Sequence, residues 1–164
     1  MHEDRTRPPA ILFLCLGNIC RSPLAEGAAR AAFADAGIDA ALDSAGTGDW
    51  HVGHPPDRRA QAEARRRGAD ISDLRARQLR RDDFYRFDLI LAADDQNLRD
   101  ARDLRPADAT ARLALMLDMV SGREGESVAD PYYGDDDGFA ATWDDVRAVA
   151  AALVASPRGK RATG

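Results

Sequence analysis

The sequence predicts an α/β protein: a single domain of three layers, α/β/α, with helices on both faces of a four-stranded parallel sheet. Three observations carry this expectation. The apolar run at 10–16 is continuous rather than alternating, as expected of a strand covered on both faces, and 87–92 and 113–117 read as further strands. Helix-like segments fall between the strand-like ones, and that alternation implies a parallel sheet with right-handed crossovers. The chain has 164 residues, without an internal repeat or a visible linker, which suits one domain able to bury most of its apolar surface.

The elements follow in order. Residues 10–16 read as a buried strand ending near Cys15. Ser22 suits an N-cap and Pro23 the first helical position, where a missing N–H does no harm. The alanine-rich stretch 24–36 propagates that helix until Gly37 stops it. A short strand is expected at 40–44, closed by Ala45-Gly46-Thr47-Gly48, then a loop with Trp50, His51 and Pro55-Pro56. A charged helix spans about 57–67 and ends at Gly68, while 71–79 is ambiguous, part of it taken as a short strand. A strand at 87–92, a helix at 95–103 and a last strand at 113–117 follow. The loop Asp130-Pro131-Tyr132-Tyr133-Gly134 leads into a long helix near 138–155. Residues 10–156 form the expected catalytic domain, flanked by flexible segments at 1–9 and 157–164.

Composition narrows the function. Hydrophobic residues make up 45% and charged residues 31% of the chain, as in ordinary globular proteins. The net charge of −5 argues against nucleic acid as a partner. The longest apolar run is too short to cross a bilayer, and residues 1–9 are unlike a signal peptide, so a cytoplasmic protein without a membrane partner is expected. Two cysteines, Cys15 and Cys20, are too few for a disulfide scaffold; with no histidine near them, a metal site is not expected either.

The chemistry concentrates in Cys15-Leu16-Gly17-Asn18-Ile19-Cys20-Arg21-Ser22. A loop between a strand's carboxyl end and a helix N-terminus gathers main-chain N–H groups and a favourable dipole around an anion. The amides from Leu16 to Ser22 can wrap the oxygens of a phosphate monoester, and the Arg21 fork can hold two of them. Gly17 permits a conformation that a side chain would resist, and the Asn18 side chain can brace the loop through its carbonyls. A cysteine thiol near ~8.5 falls to ~3.5–7.5 beside cations or a helix N-terminus, so Cys15 is a candidate nucleophile forming a phosphocysteine. Ser22 can donate a hydrogen bond to that sulfur. A leaving alkoxide or phenoxide also needs a general acid, and Asp130, stiffened by Pro131, is the candidate. No cofactor is required.

The loop motif, with Ala25-Glu26 after it, Asp43-Ser44-Ala45-Gly46-Thr47, Leu91-Ala92-Ala93-Asp94-Asp95-Gln96-Asn97-Leu98-Arg99 and Asp130-Pro131-Tyr132-Tyr133-Gly134, resembles the low-molecular-weight protein tyrosine phosphatases along nearly the whole chain. Residues 48–55, Gly-Asp-Trp-His-Val-Gly-His-Pro, resemble the bacterial branch. The resemblance implies a flavodoxin-like strand order, 2-1-3-4. It implies hydrolysis of phosphotyrosine and small aryl phosphates with Cys15 as nucleophile, Arg21 as phosphate clamp and Asp130 as general acid and base. It further implies Asn18 and Ser44 as loop supports and Trp50, Tyr132 and Tyr133 as pocket walls. In such proteins the second loop cysteine, here Cys20, can form a reversible disulfide with the nucleophile. The partner implied is a phosphotyrosine-bearing protein, a tyrosine kinase among the candidates, and the chain is expected as a monomer or weak dimer. One departure stands out: Leu74 occupies the place where many members carry a loop-supporting histidine.

Blander readings stay open at several positions. Cys20 is equally a small buried hydrophobe. Tyr133 is divided between pocket rim and packing against the last helix. His51 and His54 read as surface loop residues, Arg65–Arg67 as a solvated helix face, and Asp94 as a loop buttress outside the catalytic set. An arsenate reductase is disfavoured because no cysteine follows Cys20 to relay a disulfide. A non-catalytic phosphate-binding regulator is disfavoured by the full set of nucleophile, clamp and acid. A P-loop NTPase is excluded because the loop lacks Gly-Lys-Ser/Thr.

Overall fold

The computed structural model describes residues 7–132, 134 and 136–158, with only the main chain of Asp136. Strand β1 (Ala10–Cys15) is central, pairing in parallel with β2 (Ala41–Gly46) on one side and β3 (Leu89–Ala92) on the other; β3 pairs with β4 (Arg112–Leu115). The order is β2-β1-β3-β4, as expected. Chain direction therefore switches sides after β2, and the crevice beyond the carboxyl end of β1 is where ligands sit in such sheets.

Residues of β1 divide by parity, because successive side chains point to opposite faces. Ile11, Phe13 and Cys15, with Leu89 and Leu91 of β3, face a core closed by α1 (Arg21–Ala36), α2 (Arg58–Arg66) and α5 (Asp136–Ala155). Leu12, Leu14, Ile90 and Ala92 face a smaller core closed by α3 (Asp83–Arg86) and α4 (Asp95–Leu104). Both faces of the central strands are covered, which is why their sequences run apolar without alternation.

Helix α1 begins two residues earlier than the Ser-Pro signal suggests. Its N-cap is Cys20, which makes no side-chain capping bond, and Ser22 lies inside the first turn, where its hydroxyl serves the loop that precedes the helix. Pro23 is tolerated because it is still within that first turn. At the other end, Gly37 adopts φ 68° and its N–H bonds to Ala34 O, a left-handed stop. Asp57 caps α2 by accepting from Arg59 N.

Three elements differ from expectation. The last strand, expected at 113–117, ends at Leu115, and Met116–Met119 turn into a 3₁₀ helix in which Asp118 accepts from Leu115 N. Residues 71–79 contribute no strand, only an isolated parallel bridge between Gln78 and Gly46. Instead they brace the site, with Gly46 N donating to Arg77 O and Leu79 N to Gly46 O. The four-residue helix α3 was not foreseen; buried Asp83 anchors it by accepting from Arg77 Nη1 and from Arg80 N. The expected end segments lie outside the described residues except for Arg7–Pro9 and Pro157–Arg158, where Arg7 and Arg158 both pair with Asp88.

Candidate active site

A cleft of about 430 Å³ opens at the carboxyl end of β1, lined by the loop from Cys15 to Arg21 together with Trp50, His51, Asp130 and Tyr132. Cys15 ends β1 at its floor, and Leu16 and Ile19 lie along the loop. The main-chain amides of Gly17, Asn18, Ile19 and Cys20 donate to no acceptor among the described residues. Those of Arg21 and Ser22 belong to the first turn of α1, where helical geometry leaves N–H groups without an intrahelical partner. Open amides at a helix N-terminus, on the loop that leaves Cys15, are the donors an anion cradle needs.

Asn18 holds this loop in shape. It adopts φ 57°, the one positive φ outside glycine among the described residues, so the turn falls on Asn18 and not on Gly17. Gly17 matters for its size: a Cβ there would stand 2.9 Å from His51 Cδ2. The Asn18 side chain bonds no loop carbonyl. Its Nδ2 donates to Ser22 Oγ at 2.7 Å and to Ser44 Oγ at 3.0 Å, and its Oδ1 accepts from Arg77 N at 3.0 Å. Gly46 lets the loop pass close by, since a Cβ there would lie 2.8 Å from Leu16 O.

Proton directions follow from donor chemistry. An amide NH₂ can only donate, so Ser22 Oγ accepts from Asn18, which leaves its own proton for Cys15 Sγ at 3.0 Å or Ala45 O at 3.5 Å; a Cys15 thiolate, an acceptor only, takes that proton at the shorter distance. Ser44 likewise accepts from Asn18 and donates to Glu26 Oε1 at 2.8 Å, and Arg30 Nε donates to Glu26 Oε2. Burial pushes the Glu26 carboxyl above the usual carboxylate range, against the bonds from Ser44 and Arg30 that favour its ionised form.

Arg21 is 2% exposed. Its Nη1 donates to Asp94 Oδ2 at 2.7 Å and to Val128 O at 2.9 Å, and its Nη2 lies 3.7 Å from Asp130 Oδ2. Asp94 has a double duty, its Oδ1 capping α4 through Asn97 N. The Asp130 carboxyl stands half exposed at the cleft, and its Oδ1 accepts from Tyr132 N. Cys20 shares the cleft as a free thiol, as does Cys15. Burial pushes the Cys20 thiol far up, and the charges of Asp57, Cys15 and Asp130 add to the effect.

Trp50, at 68% exposure, and the half-buried Tyr132 both line the cleft. Tyr133 lies outside the described residues. Sequence reasoning missed three contributors. His51, read as a surface residue, lines the cleft with its ring 6.5 Å from that of Tyr132. Arg59 stacks over Tyr132 and donates to its carbonyl at 2.9 Å. Val128 contributes only a carbonyl, for which no side-chain signal exists. Leu74, where many relatives place a histidine, packs against the larger core, and the neighbouring main chain at Arg77 supplies the bond to Asn18.

A thiol beneath open amides, with a buried guanidinium and a carboxyl beside them, is the set of groups that a phosphomonoesterase of the cysteine-nucleophile class requires. A sequence model of the family described as low molecular weight phosphotyrosine protein phosphatase matches residues 10–162, and the chain belongs to that family. It is 42% identical over 137 residues to the low molecular weight phosphotyrosine protein phosphatase of Schizosaccharomyces pombe, covering 82% of this chain and 87% of that one. It is 40% identical over 153 residues to the low molecular weight protein-tyrosine-phosphatase of Streptomyces coelicolor, covering 90% and 93%. Among solved structures, YfkJ of Bacillus subtilis superposes with a TM-score of 0.85 at 36% identity, over 93% of this chain and 96% of that one.

Proposed function

We propose that this chain hydrolyses phosphotyrosine in proteins, and small aryl phosphates, by a two-step displacement at Cys15. The observation that carries the reading is the convergence of Cys15, Arg21 and Asp130 on one cleft with the open loop amides. The amides and the Arg21 fork hold the non-bridging oxygens and follow them into the transition state. The Cys15 thiolate attacks phosphorus, the ester P–O bond breaks, and the departing phenoxide takes the proton of Asp130. Asp130, now a carboxylate, removes a proton from water. The water oxygen displaces sulfur, regenerating the thiolate and releasing inorganic phosphate. The hydroxyl of Ser22, aimed at sulfur, stabilises it as the attacking and as the leaving group. Ser44 and Asn18 act as positioning residues for Ser22, and Trp50, Tyr132 and Tyr133 guide an aromatic leaving group.

The catalytic unit is the single domain 10–156, acting as a monomer or weak dimer in the cytoplasm, with a phosphotyrosine-bearing protein, a tyrosine kinase among the candidates, as substrate. Hydrolysis of p-nitrophenyl phosphate, in chelator, by the native chain and Cys15→Ser tests the reading. Native turnover that survives chelator and is abolished in the variant supports it. Undiminished turnover in Cys15→Ser, or none by the native chain, overturns it.

A further inference from the structure

A second concavity, of about 660 Å³, runs alongside the catalytic cleft between α2 and the start of α5. Its lining includes Arg58, Arg59, Arg65 and Arg66, with Asp57 as the single carboxylate among the described residues and Phe139 as an apolar wall. Arg59 is paired with Asp57, and Arg66 with Glu63. Arg58 and Arg65 make no ion pair or hydrogen bond among the described residues; Arg65 acts on Asp70 only through its longer-range charge. The two stand seven residues apart on one helix, about 10 Å at ~1.5 Å per residue. An extended peptide spans that distance in about three residues.

Arg59, which lines this groove, links it to the catalytic cleft by its contact with Tyr132. The Arg59 guanidinium lies 5.7 Å from the Tyr132 ring on the catalytic side and 4.7 Å from the Phe139 ring on the other. Asp57 N donates to Ile19 O, tying the start of α2 to the catalytic loop. A peptide whose phosphotyrosine fills the cleft and whose main chain leaves past Tyr132 runs directly onto these arginines. The chain as a whole carries −5, so an acidic partner gains most where cationic side chains cluster, as they do here.

We propose that this groove docks an acidic segment of the phosphotyrosyl substrate, with Arg58 and Arg65 each taking a carboxylate about three residues apart. The proposal rests on the phosphatase reading above. It gives the arginine-rich face of α2 a role in selecting substrates: local attraction for the acidic side of the phosphosite, within a chain of like overall charge.

The test compares two synthetic phosphotyrosyl peptides, one flanked by glutamates and one by neutral residues, with p-nitrophenyl phosphate as control. The native chain should show a KM about tenfold lower for the glutamate-flanked peptide. The preference should vanish in Arg58→Glu/Arg65→Glu and in about 0.5 M salt, where screening shortens the reach of these charges. Turnover of p-nitrophenyl phosphate should stay within about twofold. Should charge reversal disturb folding, Arg58→Ala/Arg65→Ala should still remove most of the preference. Equal KM values for the two peptides in the native chain, or a preference that survives in both double variants, would overturn the proposal. Binding of the glutamate-flanked peptide to Cys15→Ser, by fluorescence anisotropy, separates the two readings. Binding weakened by Arg58→Ala/Arg65→Ala, with no turnover by the native chain, would sink the phosphatase reading and keep the groove. Turnover with binding indifferent to both arginines would do the reverse.

Discussion

Replacing Asn18 by alanine should cost more stability than any other single change in the catalytic loop. Asn18 is 3% exposed and makes three side-chain bonds, to Ser22, Ser44 and Arg77. Each is worth about 1 kcal/mol net, so their loss costs about 3 kcal/mol. Alanine also tolerates the left-handed backbone poorly, adding roughly 1 kcal/mol at φ 57°. The expected destabilisation is therefore about 3–5 kcal/mol in urea unfolding. Asn18→Gly separates the two contributions, since glycine adopts that φ freely. It should lose the hydrogen-bond part and recover about 1 kcal/mol relative to alanine. Both variants should also lower kcat, because Ser22 loses the donor that aims its proton at sulfur. An Asn18→Ala cost below about 1 kcal/mol would show that the three bonds do not hold the loop. A glycine variant less stable than the alanine one would show that the left-handed backbone is not strained.

Asp130→Ala should slow hydrolysis of phenyl phosphate by about 10²–10⁴-fold and of p-nitrophenyl phosphate far less, since only the poorer leaving group needs the proton; equal losses would remove Asp130 as acid. Peroxide inactivation reversed by dithiothreitol should become irreversible in Cys20→Ser if the two loop thiols protect each other as a disulfide; unchanged reversibility would deny it. Glu26 binds its proton more tightly when folded, because burial raises its pKa, so it opposes folding only once ionised. The stability it affects should be full below the unfolded value of 4.5 and decline as pH rises through the folded value. Urea titrations from about pH 4 to 7 should show this decline in the native chain and not in Glu26→Gln; parallel profiles would contradict it.

The parts legible in the sequence were those set by local pattern or by burial on both faces. An unalternating apolar run marked β1, Gly37 marked the end of α1, and the strand–loop–helix order placed Cys15 at a carboxyl end. Failures came where a residue's partner lies far along the chain. Ser22 looked like a cap because serine before proline usually is one, yet its hydroxyl is taken by Cys15 and Asn18. The segment around Arg77 looked like a strand because its polar duties, to Asn18, Asp43 and Asp83, connect positions up to 59 residues away. Asp94 read as a buttress, and only the fold reveals that what it holds is Arg21. His51 carried no signal beyond its neighbour Trp50.

Catalysis by an ionised sulfur under an amide cradle is checked most simply by where an oxyanion settles. In a crystal soaked with vanadate, vanadium should be bonded to Cys15 Sγ, its oxygens on the amides of Gly17 through Ser22 and on the Arg21 fork, with Asp130 facing the apical oxygen. Vanadate bound elsewhere, with the Cys15 side chain turned away from the loop, would be incompatible with this thiol as the nucleophile.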